Sequence, residues 1–294
     1  MRRLGGIIRS LAARFEAQGL HFGHGTETAF DEAAWLVLHV LGLPLDRPAP
    51  ADHPVPPEAV RAIERLAAER IRTRKPMAYL LGEAWFAGRR YVVDERVLVP
   101  RSPMAELVGA RFAPWLAPGR PVRRILDLCA GSGCIGIACA HAFPEAAVDL
   151  GELCEGALEV ARANIALHGL EGRVRAVRSD LFDAFVGRRY DLIVSNPPYV
   201  PRAELARLPA EYLREPVLGL AAGEDGLDLV RRILGAAAEH LADDGLLVVE
   251  VGAQAPVLEA AFPRTAFQWV AFEHGGEGVF VLEAAQCAEL AERR

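Results

Sequence analysis

The chain has 294 residues, of which 52% are hydrophobic and 24% are charged, and its formal net charge at pH 7 is -6. This length predicts one large domain and a smaller one, and the composition is typical of a globular protein with a full core. No apolar run approaches the ~20 residues of a membrane helix, and Arg9 and Arg14 interrupt the N-terminus before the apolar region of a signal peptide develops. We therefore expect a cytoplasmic protein with no membrane segment.

The charge is unevenly distributed. Residues 1–100 carry 14 Lys and Arg against 12 Asp and Glu, whereas residues 101–294 carry 19 against 27. The acidic larger part disfavours clamping of a long nucleic acid, which requires a basic surface to replace counterions, and it suits a basic protein partner better. One basic cluster is interpreted as a solvated helix face; it contains Arg61, Arg65, Arg70, Arg72, Arg74 and Lys75.

The cysteines indicate neither a disulfide framework nor a metal site. Their number, five, is odd, and no two of them form a C-x-x-C pair. Such residues in a reducing compartment are typically small buried hydrophobes. We therefore predict that no metal is bound. The residues interpreted as small buried hydrophobes are Cys129, Cys134, Cys139, Cys154 and Cys287.

The first part of the chain is predicted to be helical. Apolar residues recur at helical spacing from residue 29 to 41, where Thr28 fits an N-cap and Gly42 supplies a stop. Helical spacing returns from residue 58 to 74. The segment between them, residues 43–57, contains six prolines and is predicted to be a loop.

An extended pattern follows between residues 83 and 99. Trp85-Phe86 and residues 91–93 flank the turn signal Gly88, and residues 97–99 form a further apolar run. This pattern predicts a β-hairpin that links the helical part to the rest of the chain.

From residue 123 onward the chain alternates strand and helix patterns. Strands are predicted at 125–126, 147–150, 174–177, 191–195 and 245–251, helices at 135–143, 157–168 and 227–241, and a closing pair of strands at 267–272 and 278–282. This alternation predicts an α/β fold with a parallel, doubly wound, Rossmann-like sheet. The predicted parts are a helical domain over 1–78, a β-hairpin linker over 79–102 and a ligand-binding domain over 103–294.

Four residues after the fourth strand indicate the chemistry. This acceptor loop reads Asn196-Pro197-Pro198-Tyr199. The lone pair of an amide or aromatic amine is delocalised, so a catalyst must hold both N–H groups and turn the nitrogen toward an electrophile. Asn196 offers its side-chain carbonyl and Pro197 its backbone carbonyl, the prolines fix φ and remove N–H groups, and Tyr199 would close over the flat group. The loop indicates methyl transfer to nitrogen, although N-P and P-P also mark ordinary turns.

A glycine loop, residues 127–136, follows the first strand. Gly131, Gly133 and Gly136 satisfy the G-x-G-x-x-G dinucleotide fingerprint, a pattern that also occurs wherever backbone approaches another ligand closely. Asp127 favours S-adenosylmethionine, because a carboxylate beside this loop would repel a pyrophosphate and attract ammonium and sulfonium charges.

Two further acids stand at the ends of successive strands. Glu152 is expected to accept the ribose hydroxyls, which NAD and S-adenosylmethionine share, and Asp180 is expected to accept the exocyclic amine of adenine. Ligands of open sheets bind outside the carboxyl ends of the strands. Because the first and fourth strands are neighbours in this fold, we expect the glycine loop and the acceptor loop to face one another.

These residues make the chain similar to the bacterial N(5)-glutamine protein methyltransferases over nearly its whole length. The matching motifs are Phe22-Gly23-His24-Gly25-Thr26, Asp31-Glu32-Ala33, Val97-Leu98-Val99-Pro100-Arg101-Ser102-Pro103, the glycine loop, Ser179-Asp180-Leu181-Phe182, the acceptor loop, Glu215-Pro216, Leu218-Gly219-Leu220 and Gly223-x-Asp225-Gly226. Ser102 and the Gly-His-Gly segment resemble the branch that methylates ribosomal large-subunit protein three. The sister branch modifies the Gly-Gly-Gln glutamine of release factors. It typically has the segment Pro-Arg-Pro-Asp-Thr-Glu at the place where this chain has Pro100-Arg101-Ser102-Pro103-Met104-Ala105-Glu106.

The resemblance implies a class I S-adenosylmethionine-dependent methyltransferase whose helical N-terminal domain recognises the substrate. Two positions depart from the common pattern: Cys129 stands where many methyltransferases have glycine, and Glu152 replaces the usual Asp. The implied cofactor-binding residues are Asp127, Cys129, Gly131, Gly133, Glu152, Asp180 and Asn196.

The predicted reaction is direct in-line transfer of the sulfonium methyl group to the glutamine amide nitrogen of ribosomal protein three. Asn196, Pro197 and Tyr199 are the expected catalytic residues, and the whole acceptor loop, including Pro198, binds the substrate amide. No general base is required, because the nitrogen loses its proton after it has gained the methyl group. We assign His24 and the nearby His21 a structural or substrate-contact role.

Several alternatives remain open from sequence. They are the same reaction on a release factor, methylation of the adenine amine of DNA, which requires a flipped base, a scaffold without catalysis, and a dehydrogenase. Contact of the basic cluster with ribosomal RNA in an assembly intermediate is a further alternative.

Overall fold

The computed structural model describes residues 2–45, 47 and 49–292. Its N-terminal part is helical, with a two-stranded sheet that joins the chain start to the proline-rich segment. The elements are β1 (Arg2–Arg3), α1 (Leu4–Ala17), α2 (Ala29–Leu41), β2 (Pro54–Val55), α3 (Pro57–Thr73) and α4 (Met77–Leu81). The short strand β2 lies within the segment that we predicted to be entirely loop, and it pairs with β1 in an antiparallel register.

Helix α2 begins and ends as its sequence predicts. The Thr28 hydroxyl accepts a hydrogen bond from the backbone N–H of Asp31, and Gly42 adopts the left-handed conformation with φ of 63°. The apolar faces of α1, α2 and α3 form one core, which also contacts Ala157 and Val160 of the following part. The helical part is therefore packed directly against the rest of the molecule.

A hairpin of β3 (Glu83–Phe86) and β4 (Arg89–Val92) follows, with its turn at Gly88. The apolar run at 97–99, the last part of the predicted extended pattern, is not a strand. Val97 and Val99 are buried by packing instead, and the Val99 backbone N–H donates to a carboxylate more than 100 residues later in the chain, Glu215. The predicted boundary after residue 78 falls inside α4, because α3 ends at Thr73 and a second short helix begins directly after Pro76. The three-part division itself stays a prediction.

The remaining elements confirm the α/β alternation. They are α5 (Met104–Gly109), β5 (Arg124–Leu128), α6 (Cys134–Ala142), β6 (Ala147–Glu152), α7 (Glu155–Leu167), β7 (Val174–Arg178), β8 (Tyr190–Ser195), α8 (Arg202–Leu205), α9 (Asp228–His240), β9 (Leu241–Glu250), α10 (Ala255–Ala261), β10 (Gln268–Trp269), β11 (Val279–Glu283) and α11 (Ala284–Glu292). The predicted closing pair of strands is present as β10 and β11, although β10 is shorter than predicted.

The seven strands form one sheet in the order β10-β11-β9-β8-β5-β6-β7. Strands β5 to β9 run parallel, and the β10–β11 pair closes the edge in antiparallel fashion. Helices α5, α6 and α7 cover one face, whereas α9, α10 and α11 cover the other. The sheet is the Rossmann-like arrangement that the sequence predicts, and its order reverses between β5 and β8, where the fold binds ligands.

Residues 200–226, which we call the connector, join β8 to α9. Its two ends are held together because Val200 exchanges backbone hydrogen bonds with Leu220 and Ala222, at 2.8 and 3.0 Å. Between these ends the connector contains α8 and two short 3-10 turns, Tyr212–Arg214 and Val217–Gly219. It lies between the carboxyl ends of the strands and the helical part.

Candidate active site

A cavity of about 390 Å³ opens at the carboxyl ends of the central strands. Its volume is in the range of small-molecule sites. The glycine loop and the acceptor loop both line it, as predicted, because Leu128 of β5 pairs with Ser195 of β8 and each loop begins directly afterwards. The other lining segments are 96–102, 151–154, 179–181, the connector residues Val200, Leu208, Tyr212, Pro216, Leu218, Gly219 and Leu220, and the single residues Ala157, Leu229 and Glu250.

The glycine loop owes its shape to positions that exclude or strain a side chain. A Cβ atom on Gly136 would lie 2.2 Å from Leu150 Cδ2, so only glycine lets α6 approach β6 this closely. Gly131 and Cys129 both adopt left-handed backbone, with φ of 55° and 57°. A cysteine in that region is strained, and such strain is typical of ligand-binding turns. Cys129 thus adopts a backbone conformation that glycine would take without strain.

Asp127 does not line the cavity, which corrects the predicted direct contact with the cofactor. Its side chain is buried, and Oδ2 accepts a hydrogen bond from the Gly136 backbone N–H at 2.8 Å. Burial raises the pKa of Asp127 to about 7, against an ordinary value of 3.8. The carboxyl group lies beneath the loop, on the α6 side of the strand, so it shapes the loop. The charge of Asp127 therefore does not distinguish S-adenosylmethionine from a dinucleotide.

Because Asp127 is buried, we expect the difference in stability between wild type and Asp127→Asn to depend on pH. The folded state holds the Asp127 proton more tightly than the unfolded state, so between its ordinary pKa of 3.8 and its folded pKa of about 7 the free energy of unfolding falls as pH rises. Asp127→Asn cannot titrate and keeps an oxygen for the Gly136 N–H. We expect the stability of the variant relative to wild type to rise by about 2 kcal/mol between about pH 5 and about pH 6.5, as measured by urea unfolding. A difference that does not change with pH would contradict this account.

Glu152 and Asp180 both line the cavity, as the strand-end argument predicts. The two carboxylate oxygens of Glu152 accept backbone N–H groups of Gly131 and Cys154, each at 2.9 Å. The carboxylate therefore joins the ends of β5 and β6, and it has further lone pairs for ribose hydroxyls. Asp180 Oδ1 lies 2.9 Å from a guanidinium nitrogen of Arg232. Their contacts with a cofactor stay predictions.

The acceptor loop lies across the cavity from these acids. Asn196, Pro197, Pro198 and Tyr199 all line it. The ring of Tyr199 packs against Gly252, where a Cβ atom would lie 2.8 Å from the ring, and its hydroxyl donates to Glu250 Oε1 at 3.1 Å. The tyrosine is thus fixed on two sides beside the asparagine.

Sequence reasoning did not single out two buried carboxylates near this loop, Glu215 and Glu250. Arg101 binds Glu215 through two nitrogens, at 2.7 and 2.8 Å, and its guanidinium lies 5.2 Å from the ring centre of Tyr212. Burial alone would raise the pKa of Glu215, but the facing His24 and the charge of Arg101 outweigh burial and lower the pKa to about 2. The matching motif Glu215-Pro216 and the strand-end position of Glu250 were the available signals.

His24 connects this site to the helical part. Its side chain is buried, its Nε2 lies 3.4 Å from Glu215 Oε2, and its ring lies 4.4 Å from that of Tyr212. Burial lowers the pKa of His24. The structural role predicted for His24 is therefore supported, because it packs beneath the connector.

The basic cluster is not a uniformly solvated helix face, and that interpretation was wrong for three of its six members, Arg70, Arg74 and Lys75. Arg70 is fully buried and binds Glu32 and the connector residue Glu211. Arg74 also contacts Glu211, and Lys75 pairs with Glu95. Arg61, Arg65 and Arg72 are exposed. Half of the cluster therefore holds the helical part to its neighbours.

The cavity suits S-adenosylmethionine. Left-handed turns at residues 129 and 131 bring backbone to its edge, Glu152 presents a carboxylate at the end of β6, and Asp180 presents another after β7. Apolar side chains such as Leu153 and Leu181 line the space between them. This donor set fits a ribose, an amino group and a sulfonium cation, and the acceptor loop stands opposite.

This fold and this site define a class I S-adenosylmethionine-dependent methyltransferase, and the "Methyltransferase small domain" family matches residues 114–211. Curated relatives include a ribosomal protein uL3 glutamine methyltransferase of Xylella fastidiosa, 49% identical and covering 97% of this chain and 90% of that protein. Another, of Bordetella pertussis, is 45% identical and covers 97% and 96%, and one of Francisella tularensis is 44% identical and covers 94% and 88%. The chain belongs to the family of ribosomal protein uL3 glutamine methyltransferases.

Neither a metal cluster nor a membrane helix occurs in the described part of the chain. No group of three or more His, Cys, Asp or Glu side chains in the described ranges is arranged to hold a metal ion. Among the helices that the structure describes, none has an apolar stretch long enough to cross a membrane.

Proposed function

We propose that the protein transfers a methyl group from S-adenosylmethionine to the side-chain amide nitrogen of a glutamine in ribosomal protein uL3. The observation that carries the proposal is the 49% identity to a uL3 glutamine methyltransferase over 97% of this chain. Because the similarity spans the helical part, the connector and the cavity, it covers the segments that would meet the substrate as well as those that would hold the cofactor.

The chemistry of the acceptor loop supports this proposal. S-adenosylmethionine, when bound, supplies an electrophilic methyl group on a sulfonium. Asn196 Oδ1 and the Pro197 carbonyl accept the two N–H groups of the glutamine amide, and Tyr199 packs against its plane. These contacts turn the nitrogen lone pair out of conjugation and toward the glycine-loop side of the cavity. Positioning provides most of the rate enhancement in such a site, and the proton leaves the nitrogen after transfer.

The charges around the site favour a protein substrate over a nucleic acid. Arg70 is buried, and Arg74 and Lys75 pair with acids of this chain, so the basic cluster keeps few cations for phosphates. The part of the chain from residue 101 onward carries 27 acidic against 19 basic side chains. A basic ribosomal protein suits this surface better than DNA or ribosomal RNA does. All five cysteines are free thiols, which supports a cytoplasmic location for the reaction.

The test is transfer of labelled methyl from S-adenosylmethionine to purified uL3, with a release factor and duplex DNA in parallel reactions. We expect label on uL3, which mass spectrometry then locates on a glutamine side chain. Label confined to the Gly-Gly-Gln glutamine of the release factor would keep the reaction and overturn the substrate. Label on DNA alone would overturn both. Methyl transfer to none of the three, with cofactor binding intact by calorimetry, would support a scaffold instead.

A further inference from the structure

Glu250 ends β9 beside the acceptor loop. Strands β8 and β9 are parallel, and Ser195 pairs with Val249. The next residues along the two strands, Asn196 and Glu250, are therefore level with each other at the edge of the cavity. Glu250 is 5% exposed, and both residues line the cavity.

Two hydroxyl donors converge on the Glu250 carboxylate, beside Asn196. Its Oε2 accepts the Ser102 hydroxyl at 2.6 Å, and its Oε1 accepts the Tyr199 hydroxyl at 3.1 Å. Burial raises the pKa of Glu250, and hydrogen bonding from Ser102, Tyr199 and Asn196 opposes that rise. The carboxylate thus lies at the centre of a buried polar cluster that includes two of the four acceptor-loop residues.

This cluster has a consequence for the orientation of Asn196. An asparagine amide has one accepting end and one donating end, and a rotation of 180° exchanges them. The Ser102 and Tyr199 hydroxyls both donate to Glu250, so its side chain acts as an acceptor in this cluster, and an acceptor attracts the NH2 end of Asn196. Its Oδ1 then points away from Glu250, on the side where the substrate N–H group requires an acceptor.

We propose that Glu250 is a positioning residue that selects the productive orientation of the Asn196 amide, with Ser102 and Tyr199 holding the carboxylate in place. This inference rests on the proposed function, because the requirement for an acceptor comes from an N–H substrate. It assigns a role to Ser102, whose hydroxyl binds the carboxylate that orients the asparagine. Without Glu250 the two orientations of Asn196 compete, and one of them presents a donor to the substrate.

The first test compares Glu250→Gln with Glu239→Gln, an exposed glutamate on α9. The introduced glutamine offers a donor as well as an acceptor, so it no longer dictates which end of Asn196 faces the cavity. We expect kcat on uL3 to fall by about 10²-fold, with unchanged Kd for S-adenosylmethionine, and the control to keep wild-type kcat. Equal kcat in Glu250→Gln and wild type would overturn the inference.

The second test exchanges the two side-chain groups, so that position 196 carries the carboxylate and position 250 carries the amide. Asn196→Asp places two carboxylates side by side and should be nearly inactive. In the double variant Asn196→Asp/Glu250→Gln, the NH2 group of the introduced glutamine donates to one oxygen of the introduced aspartate, and the other oxygen remains an acceptor for the substrate. We expect the double variant to exceed Asn196→Asp in kcat by about 10-fold or more. A residue that only filled space would give no recovery, and a double variant no faster than Asn196→Asp would count against the proposal.

A third measurement needs no substrate, so it separates this inference from the proposed function. The chain contains two asparagines, Asn164 and Asn196, and Asn164 binds Val92 and Ser132 elsewhere in the fold. In 15N-labelled protein we expect Glu250→Gln to shift the Asn196 side-chain amide signals and speed their hydrogen exchange, while those of Asn164 stay unchanged. Unchanged Asn196 signals would overturn the role of Glu250, whereas shifted signals in an enzyme inactive on uL3 would leave it standing and overturn the substrate.

Discussion

With Asn196 replaced by alanine, we expect turnover on uL3 to fall by about two orders of magnitude or more, while the affinity for S-adenosylmethionine is kept. Alanine removes one of the two acceptors that hold the glutamine amide, and the Pro197 carbonyl alone does not fix its plane. Glu152 and Asp180, which are expected to hold the ribose and the adenine of the cofactor, follow other strands of the sheet and are not disturbed. The measurement is kcat from label transfer, together with Kd from calorimetry.

Arg202→Ala is the matched control for this prediction. Arg202 follows the acceptor loop by three residues, is largely exposed and does not line the cavity, so its loss should leave kcat unchanged. Full turnover in Asn196→Ala would show that the loop does not hold the reacting amide. Loss of cofactor affinity equal to the loss of turnover would instead show that Asn196 acts through the cofactor.

The alternation of strands and helices and the edge that carries the site could be predicted because both depend on local patterns. Hydrophobic period, a cap at Thr28 and a stop at Gly42 specify helix α2 without any distant partner. The same holds for Glu152, because an acid at the end of a parallel strand faces the ligand edge of the sheet. Glu250 carries this same signal on β9, so the sequence already contained the information for it.

Side-chain direction within the site could not be predicted. Asp127 ends up beneath the glycine loop, because the close approach of α6 at Gly136 places a backbone N–H group on that side. Val97 and Val99 belong to an apolar run that is buried without forming a strand, and the Val99 backbone N–H donates to Glu215, which is far away in sequence. An apolar run of three residues has the same pattern in a strand and in a buried loop, so only tertiary contacts decide which of the two forms.

Arg70 shows most clearly what local pattern cannot reveal. On sequence it is one of several arginines on a helix, and nothing in its spacing separates it from Arg72. Its partners lie 38 and 141 residues away, at Glu32 and Glu211. A charged residue is buried only where such partners converge, and these partners come from α2 and from the connector.

Removal of this charge should therefore destabilise the protein strongly. Arg70→Met leaves Glu32 buried without its cation and Glu211 with Arg74 alone, and it also removes the hydrogen bond at 2.9 Å to the His21 carbonyl. Burial already raises the pKa of Glu32 even with Arg70 present. Breaking a buried pair by removing one partner costs about 3–5 kcal/mol. We expect a loss of this size in the free energy of unfolding at neutral pH, measured by urea titration.

Two further variants decide whether an unpaired buried carboxylate causes the loss of stability in Arg70→Met. Arg72→Met changes an exposed arginine on the same helix and should alter stability by no more than about 0.5 kcal/mol. Adding Glu32→Gln to Arg70→Met removes one uncompensated carboxylate, so the double variant should be more stable than Arg70→Met alone. If adding Glu32→Gln lowers stability further, the unpaired carboxylate is not the cause. The loss in Arg70→Met would then come from packing, because methionine does not fill the space of the guanidinium group.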